Sequence, residues 1–186
     1  IIFSQNYWKP ADSPGNGNIQ ELAINSQGDI FGGCFDGLFK STDNGESWMQ
    51  LSPVAFSENP NIKAIAVNSA DDIFVGATTS GGFLEGKIFK STDGGNSWAD
   101  VTGSFSGSVI NTIALDASDN VFIGTNNGIH KSTDGGTNWD LLENFPQGVF
   151  VNDILVDDNG IVLCGAGNGV YQSTDGKSMH LHVWLP

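Results

Sequence analysis

Short apolar runs alternate with polar, glycine-rich turns along most of the chain. Four runs align as the first strand of a repeating unit: "LAIN" at 22–25, "IAVN" at 65–68, "IALD" at 113–116 and "ILVD" at 154–157. After a turn rich in Asn, Asp, Ser and Gly, each unit continues with a second apolar run and then a third. Runs of this length with turn signals between them are typical of an antiparallel meander. The pattern therefore predicts an all-β protein.

The third run of every unit leads into a Ser-Thr-Asp string, and these strings recur at a regular interval. Their aspartates, Asp43, Asp93, Asp134 and Asp175, are spaced by 50, 41 and 41 residues. A polar turn and a fourth strand follow, and a four-stranded unit of about forty to fifty residues has the size of a β-propeller blade. One such sheet cannot bury both its faces alone, so neighbouring units are expected to pack against each other.

We therefore predict a β-propeller, or an arc of one, as a single domain over residues 1–186. Its blades are expected at 18–52, 61–101, 109–143 and 150–185. Trp8 precedes Trp48 by 40 residues, which is the length of one repeat. An outer strand at 3–10 is accordingly predicted to complete the closing blade, because ring closure leaves few exposed sheet edges.

The Ser-Thr-Asp strings open segments that we term the STD turns: 41–48, 91–98, 132–139 and 173–180. Their pattern S-x-D-x-G-x-x-W resembles the Asp-box, or bacterial neuraminidase repeat. Three turns carry it in full, with Ser41, Asp43, Gly45 and Trp48; Ser91, Asp93, Gly95 and Trp98; and Ser132, Asp134, Gly136 and Trp139. The fourth keeps Ser173 and Asp175 but has Lys177 at the glycine position and His180 at the tryptophan position.

A structural role accounts for every residue type in these turns. A short Asp side chain, assisted by Ser, can accept hydrogen bonds from the backbone ahead of it and close a turn. Glycine supplies the positive φ of a tight hairpin, and tryptophan buries a large ring. A calcium loop needs several oxygen ligands, whereas "DGGNSW" offers one carboxylate. Catalysis needs one acid in a special environment, whereas this acid recurs in each repeat.

The charge balance narrows the range of partners. The chain has 21 acidic residues, 7 basic residues and a formal net charge of -14. Such a surface repels phosphate backbones and anionic membranes, so we expect no nucleic-acid partner. No apolar run approaches the length of a transmembrane helix, so we expect no membrane insertion. Every basic residue is a lysine, and no arginine is present.

The resemblance implies glycoside hydrolysis as one candidate activity, because Asp-box propellers include sialidases and endo-acting glucanases. A sialidase of this family would clamp the substrate carboxylate with three arginines, and lysine lacks the bidentate fork of arginine. The absence of arginine therefore argues against sialidase activity. Other glycosidases need two carboxylates facing one cleft. Acidic residues are plentiful, but nothing in the sequence marks such a pair. Glu21 and Asp153 occupy equivalent repeat positions and could face the central channel, with solvated polar positions as the alternative.

The resemblance also implies that ligands bind near the channel, on the face opposite the STD turns. Four polar residues occupy one equivalent first-strand position and are predicted to line the channel mouth: Gln20, Lys63, Asn111 and Asn152. Glu21 and Asp153 follow two of them. The second repeat has a longer loop at 78–87, whose Phe83 is a further candidate contact, with variable decoration as the alternative.

Metal and redox chemistry have little support in the sequence. Cys34 and Cys164 lie in apolar, strand-like runs, which indicates two buried free thiols and leaves a disulfide open. His180 and His182 alone make a weak metal site. We expect no metal and no cofactor.

These observations predict a secreted, non-catalytic recognition or scaffolding propeller for a glycan or protein ligand. The initial "IIFSQ" resembles the end of a secretory signal. The alternatives are part of a glycoside hydrolase or an extracellular sensor propeller. Four repeats also suggest a homodimer in which two copies of the chain share one ring.

Overall fold

The computed structural model describes residues 18–51, 60–79, 85–106 and 109–182. They form four antiparallel sheets, each with its strands in chain order, and contain no helix that could span a membrane. The all-β prediction with four meanders is therefore confirmed. The predicted outer strand at 3–10 and the loop tip with Phe83 lie outside the described residues.

Each sheet corresponds to one repeat, and we number the sheets as blades 1 to 4. Blade 1 consists of β1 (Ile19–Ile24), β2 (Ile30–Cys34), β3 (Gly37–Ser41) and β4 (Met49–Leu51). Blade 2 consists of β5 (Asn61–Val67), β6 (Ile73–Thr79), β7 (Glu85–Ser91) and β8 (Ala99–Asp100). Blade 3 consists of β9 (Ile110–Leu115), β10 (Val121–Thr125), β11 (Gly128–Ser132) and β12 (Asp140–Leu141). Blade 4 consists of β13 (Val151–Val156), β14 (Val162–Ala166), β15 (Gly169–Ser173) and β16 (His180–His182).

The hydrophobic core of the described residues lies between consecutive blades. The first strands contact one another in the order β1, β5, β9 and β13. Phe31 of blade 1 lies in one buried cluster with Ile65 of blade 2. Phe74 of blade 2 lies in an equivalent cluster with residues of blade 3, and Phe122 of blade 3 in one with residues of blade 4. Burial between blades supplies the apolar contacts that a single sheet lacks.

Glycines in the second strands let adjacent blades approach closely. A Cβ atom at Gly124 would lie 2.6 Å from Thr112 Cγ2 and still closer to Val151 of blade 4. Val151 is fully buried. The same arrangement joins blades 1 and 2 and blades 2 and 3, where a Cβ atom would lie 2.6 Å from a buried isoleucine: Gly33 with Ile62, and Gly76 with Ile110. Any larger residue at these three glycines would overpack the blade interface.

The STD turns are closed by their own side chains. In blade 2 the buried Ser91 hydroxyl accepts the Gly95 N–H at 2.9 Å and donates to Asp93 at 2.9 Å. Asp93 also accepts the N–H of Ser97 at 2.8 Å and its hydroxyl at 2.6 Å. Gly95 has a φ of 91°. Blades 1 and 3 repeat these bonds, so the aspartates of these turns are engaged within the hairpin.

The fourth STD turn is one residue shorter, and the residue assignment predicted for it is wrong. Asp175 accepts the N–H of Ser178, three residues on rather than four. Met179 is buried between blades 3 and 4, whereas His180 is exposed and begins β16. Gly176 supplies a positive φ of 61°. Met179 therefore takes the tryptophan position, and Gly176 supplies the glycine conformation. The prediction was wrong because an alignment of the repeats without gaps cannot show a deletion inside a turn.

Hydrogen bonds hold the pKa of each STD-turn carboxylate below its ordinary value. The hydroxyl and N–H of Ser97, with the Ser91 hydroxyl, lower the pKa of Asp93 to about 2. Ser47 does the same for Asp43, whose pKa falls to about 2. The backbone N–H of Asn138 lowers the pKa of Asp134, and that of Ser178 lowers the pKa of Asp175.

We expect the free energy of unfolding to decrease as the pH falls from about 4 toward 2. A carboxylate with a depressed folded-state pKa stabilises the fold above its unfolded pKa, and this contribution disappears as the pH falls through the folded value. Urea unfolding at successive pH values measures the slope. Asp93→Asn should reduce that slope, and Asp158→Asn, at an exposed turn residue, is the control. An unchanged slope in Asp93→Asn would contradict the assignment.

Candidate ligand-binding cavity

A β-bulge interrupts the first strand of every blade at the same repeat position. In blade 1 the pairing with β2 passes from Ile19 directly to Glu21, so Gln20 is the extra residue. The extra residues of the other blades are Lys63, Asn111 and Asn152. A bulge leaves its extra residue outside the regular ladder and redirects the side chain. The four polar residues predicted to line the channel mouth are thus the four bulge residues.

The bulges surround one cavity of about 540 Å³. It is lined by residues of all four blades: Gln20, Glu21, Lys63, Asn111, Thr112, Asn152 and Asp153. The structure therefore brings together every predicted ligand-binding residue except Phe83, whose position is not described. Thr112 was not predicted to line the cavity. It occupies the same repeat position as Glu21 and Asp153, so aligning the four repeats could have identified it.

Hydrogen bonds between blades hold the lining side chains in place. Gln20 Nε2 donates to Asn61 Oδ1 of blade 2 at 2.6 Å. Asn111 Nδ2 donates to the Val151 carbonyl of blade 4 at 3.0 Å, and also to Asn126. The Thr112 hydroxyl donates to Asp153 Oδ1 at 3.2 Å. Side chains fixed in this way lose less conformational freedom when a ligand binds.

Glu21 and Asp153 bring two carboxylates to the same cavity from blades 1 and 4. Burial raises the pKa of Glu21, and the charge of Asp153 raises it further. Asp153 is exposed and accepts the N–H of Ile154 at 2.9 Å. The half-buried Lys63 forms no salt bridge with another described residue and adds one positive charge. The cavity therefore combines charged groups of both signs with amide donors and acceptors.

Other lysines serve the blade interfaces. Lys40 pairs with Asp29 of its own blade at 2.8 Å and donates to the Gly94 carbonyl of blade 2 at 3.1 Å. Lys90 of blade 2 pairs with Asp72 at 2.7 Å and lies over the Phe74 ring. A Cβ atom at Gly135 of blade 3 would lie 3.6 Å from Lys90 Nζ. Lys40 and Lys90 of the third strands thus reach the STD turn of the following blade, a role that the sequence did not predict.

Two exposed phenylalanines lie at the end of the blades that carries the β-bulges. Phe35 follows β2 and Phe150 precedes β13. Both residues lie at the same end of the strands as the bulges. Ile19 pairs with Cys34 at the start of β1, and Val151 pairs with Ala166 at the start of β13. Phe35 was not among the predicted site residues, because one exposed aromatic in a turn carries no repeat signal.

The remaining chemically active side chains of the described segments lie elsewhere. Cys34 and Cys164 are buried free thiols, and burial raises the pKa of Cys164 to about 12. Burial lowers the pKa of His130, whose ring packs edge-on against Phe105. Within the described segments no three His, Cys, Asp or Glu residues are grouped to hold a metal ion.

No family model and no curated protein matches this sequence. Solved structures do resemble this chain. An ancestral GH74 enzyme gives a TM-score of 0.74 at 22% identity, over 90% of this chain and 26% of that one. The extracellular domain of the one-component system BT4673 from B. thetaiotaomicron gives 0.69 at 17% identity, over 85% and 21%. YCF48 bound to D1 peptide gives 0.65 at 17% identity, over 96% and 58%.

These similarities establish the fold. The neighbours are β-propeller proteins, and the four blades described above have that architecture. The chain spans only 26%, 21% and 58% of the three neighbours' lengths. At identities of 22% and below, the shared fold carries no statement about ligand or activity.

Proposed function

We propose that this chain is a secreted recognition module that binds a glycan or protein segment in the bulge-lined cavity. One observation carries the proposal: polar side chains from all four blades converge on a single space of about 540 Å³. Ligand pockets commonly have volumes of about 300–1,000 Å³ and a few well-placed polar groups. We also infer that the STD turns are Asp-boxes whose role is to close hairpins.

The cavity chemistry suits a ligand rich in hydroxyl or amide groups. The amides of Gln20 and Asn152 can each donate and accept hydrogen bonds, as sugar hydroxyls and peptide groups require. Phe35 and Phe150 offer exposed rings at the same edge for a sugar face or an apolar side chain. The net charge of -14 disfavours polyanionic ligands.

The neighbours support both ligand classes and an extracellular location. One is an extracellular domain, another is a GH74 enzyme, and a third was solved with a bound peptide. We take from them the extracellular location and the class of ligand, glycan or peptide, and we propose the bulge-lined cavity as the binding site.

Asn152→Ala should weaken ligand binding about fivefold, because one hydrogen bond contributes about 1 kcal/mol. Asn152 is exposed and has no hydrogen bond to another described side chain, so its replacement should leave the fold intact. A glycan array and a peptide library supply candidate ligands, and calorimetry measures the affinity. Asn96→Ala, at an exposed residue on the STD turn of blade 2, is the control for a site outside the cavity, and circular dichroism should verify its fold because Asn96 Nδ2 donates to the Asp93 carbonyl. Equal weakening by both variants, or by neither, would contradict binding in the cavity.

A glycoside hydrolase is the second candidate, because Glu21 and Asp153 place two carboxylates in one cavity. We expect the chain to release no reducing sugar from xyloglucan or other β-glucans. Turnover that disappears in both Glu21→Gln and Asp153→Asn would overturn the non-catalytic proposal and identify the pair as the catalytic acids.

A further inference from the structure

Every blade has two apolar faces that differ in the interfaces they form. We define the front face of a blade as the one that points toward the preceding blade, and the rear face as the one that points toward the following blade. Front-face isoleucines of blades 2 to 4 are buried against the preceding blade, with exposures of 5% for Ile65, 8% for Ile113 and 6% for Ile154. Their equivalent in blade 1, Leu22, is 56% exposed.

The rear face of blade 4 is open in the same way. Leu38, Ile88 and Ile129 of blades 1 to 3 are fully buried by the following blade, whereas their equivalent Val170 is 38% exposed. Leu155, on the same face, is 62% exposed. The front face of blade 1 and the rear face of blade 4 therefore do not cover each other.

At each of the three internal interfaces, a β-branched side chain packs beside a glycine of the preceding blade. The rear face of blade 4 carries such a glycine without its partner, and the front face of blade 1 carries such a β-branched residue without its glycine. Ile62, Ile110 and Val151 each fill the space beside a glycine of the preceding blade. The fourth such glycine, Gly165, has no atom within 4 Å of the position its Cβ would take. The fourth such β-branched residue, Ile19, is only half-buried.

We propose that a second copy of this chain docks head to tail, with the front face of its blade 1 on the rear face of blade 4. Ile19 of the second copy fills the space beside Gly165, and its Leu22 and Ile24 cover Leu155 and Val170. The chain already forms this contact three times between its own blades, so both halves of the interface are encoded in one sequence. Each contact uses the front face of one copy and the rear face of the other, so it is heterologous. Two such contacts, one at each end of the chain, close a dimer.

Light scattering and sedimentation across a range of concentrations test the proposal. Salt of about 0.3 M should be included, because it screens the repulsion between two chains that each carry -14. We expect the wild type to associate with increasing concentration. A wild type that remains monomeric throughout would overturn the proposal, and so would association that leaves the front face free.

Charge variants of the two faces identify the geometry. Leu22→Asp and Leu155→Asp each disable one exposed face, so each variant alone should be monomeric. An equimolar mixture should restore a dimer through the one intact pair of faces. Leu141→Asp, at a residue that is also 56% exposed but lies on an outer strand, is the matched control and should associate as the wild type does. Association of either face variant alone would contradict the head-to-tail arrangement.

Filling the space beside Gly165 tests the contact itself. Gly165→Val adds a side chain where the isolated chain has open space, so circular dichroism and melting should match the wild type. The added volume should weaken association at least tenfold. Gly167→Val adds the same side chain at a second open glycine, in the neighbouring turn, and should leave association unchanged. Wild-type association by Gly165→Val would overturn the placement of Ile19.

Discussion

Gly124→Ala should destabilise the fold by about 1–3 kcal/mol, the usual cost of overpacking a core. The new methyl group would lie 2.6 Å from Thr112 Cγ2 and closer still to Val151, at the interface of blades 3 and 4. Both neighbours are buried, so neither side chain can move aside without displacing its strand.

Gly165→Ala is the matched control for this substitution, because Gly165 occupies the equivalent position of blade 4 and nothing lies within 4 Å of the added atom. We expect its stability to be equal to or slightly above that of the wild type. Urea unfolding of both variants under dilute, monomeric conditions makes the comparison. Equal destabilisation of the two would show that the strand, rather than the blade interface, requires glycine.

Met179→Ala should cost about 2–5 kcal/mol, the range for removing a large buried side chain. Met179 is 1% exposed and packs with Phe122, Ile129 and Leu142 between blades 3 and 4. Its N–H also donates to the Glu143 carbonyl at 2.9 Å, a bond that the substitution retains. The loss should therefore report the side chain alone.

His180→Ala provides the contrast, because the sequence pattern placed His180 at the tryptophan position. The side chain is exposed at the start of β16, so we expect a change in unfolding free energy below about 0.5 kcal/mol. A larger loss in His180→Ala than in Met179→Ala would reinstate the gapless alignment of the fourth turn.

Periodicity predicted the fold well because a repeat multiplies each local signal. One "LAIN" run is ambiguous, whereas four equivalent runs with matching turns specify a meander. The same redundancy located the first-strand position of Lys63 and its equivalents without revealing that it is a bulge. A bulge depends on pairing with the neighbouring strand, and a single strand's sequence does not encode that register.

Other features depend on contacts that repeat alignment cannot supply. The one-residue deletion near Lys177 changes which side chain is buried, and only the packing of Met179 reveals it. The open space at Gly165 follows from what lies beside it, because the glycine itself is equivalent to three that are covered. Thr112 lines the cavity through a position that carries different residue types in each blade, so residue type alone did not mark it.

The direct test of the proposed function is to map a bound ligand by amide chemical shifts, using an oligosaccharide or peptide selected by array. The cavity predicts that the largest shifts occur at the four bulge residues, Gln20, Lys63, Asn111 and Asn152, and at their neighbours Glu21 and Asp153. Shifts confined to the STD turns, such as 91–98 and 132–139, would place the ligand at the end of the blades opposite the bulges and contradict the proposal.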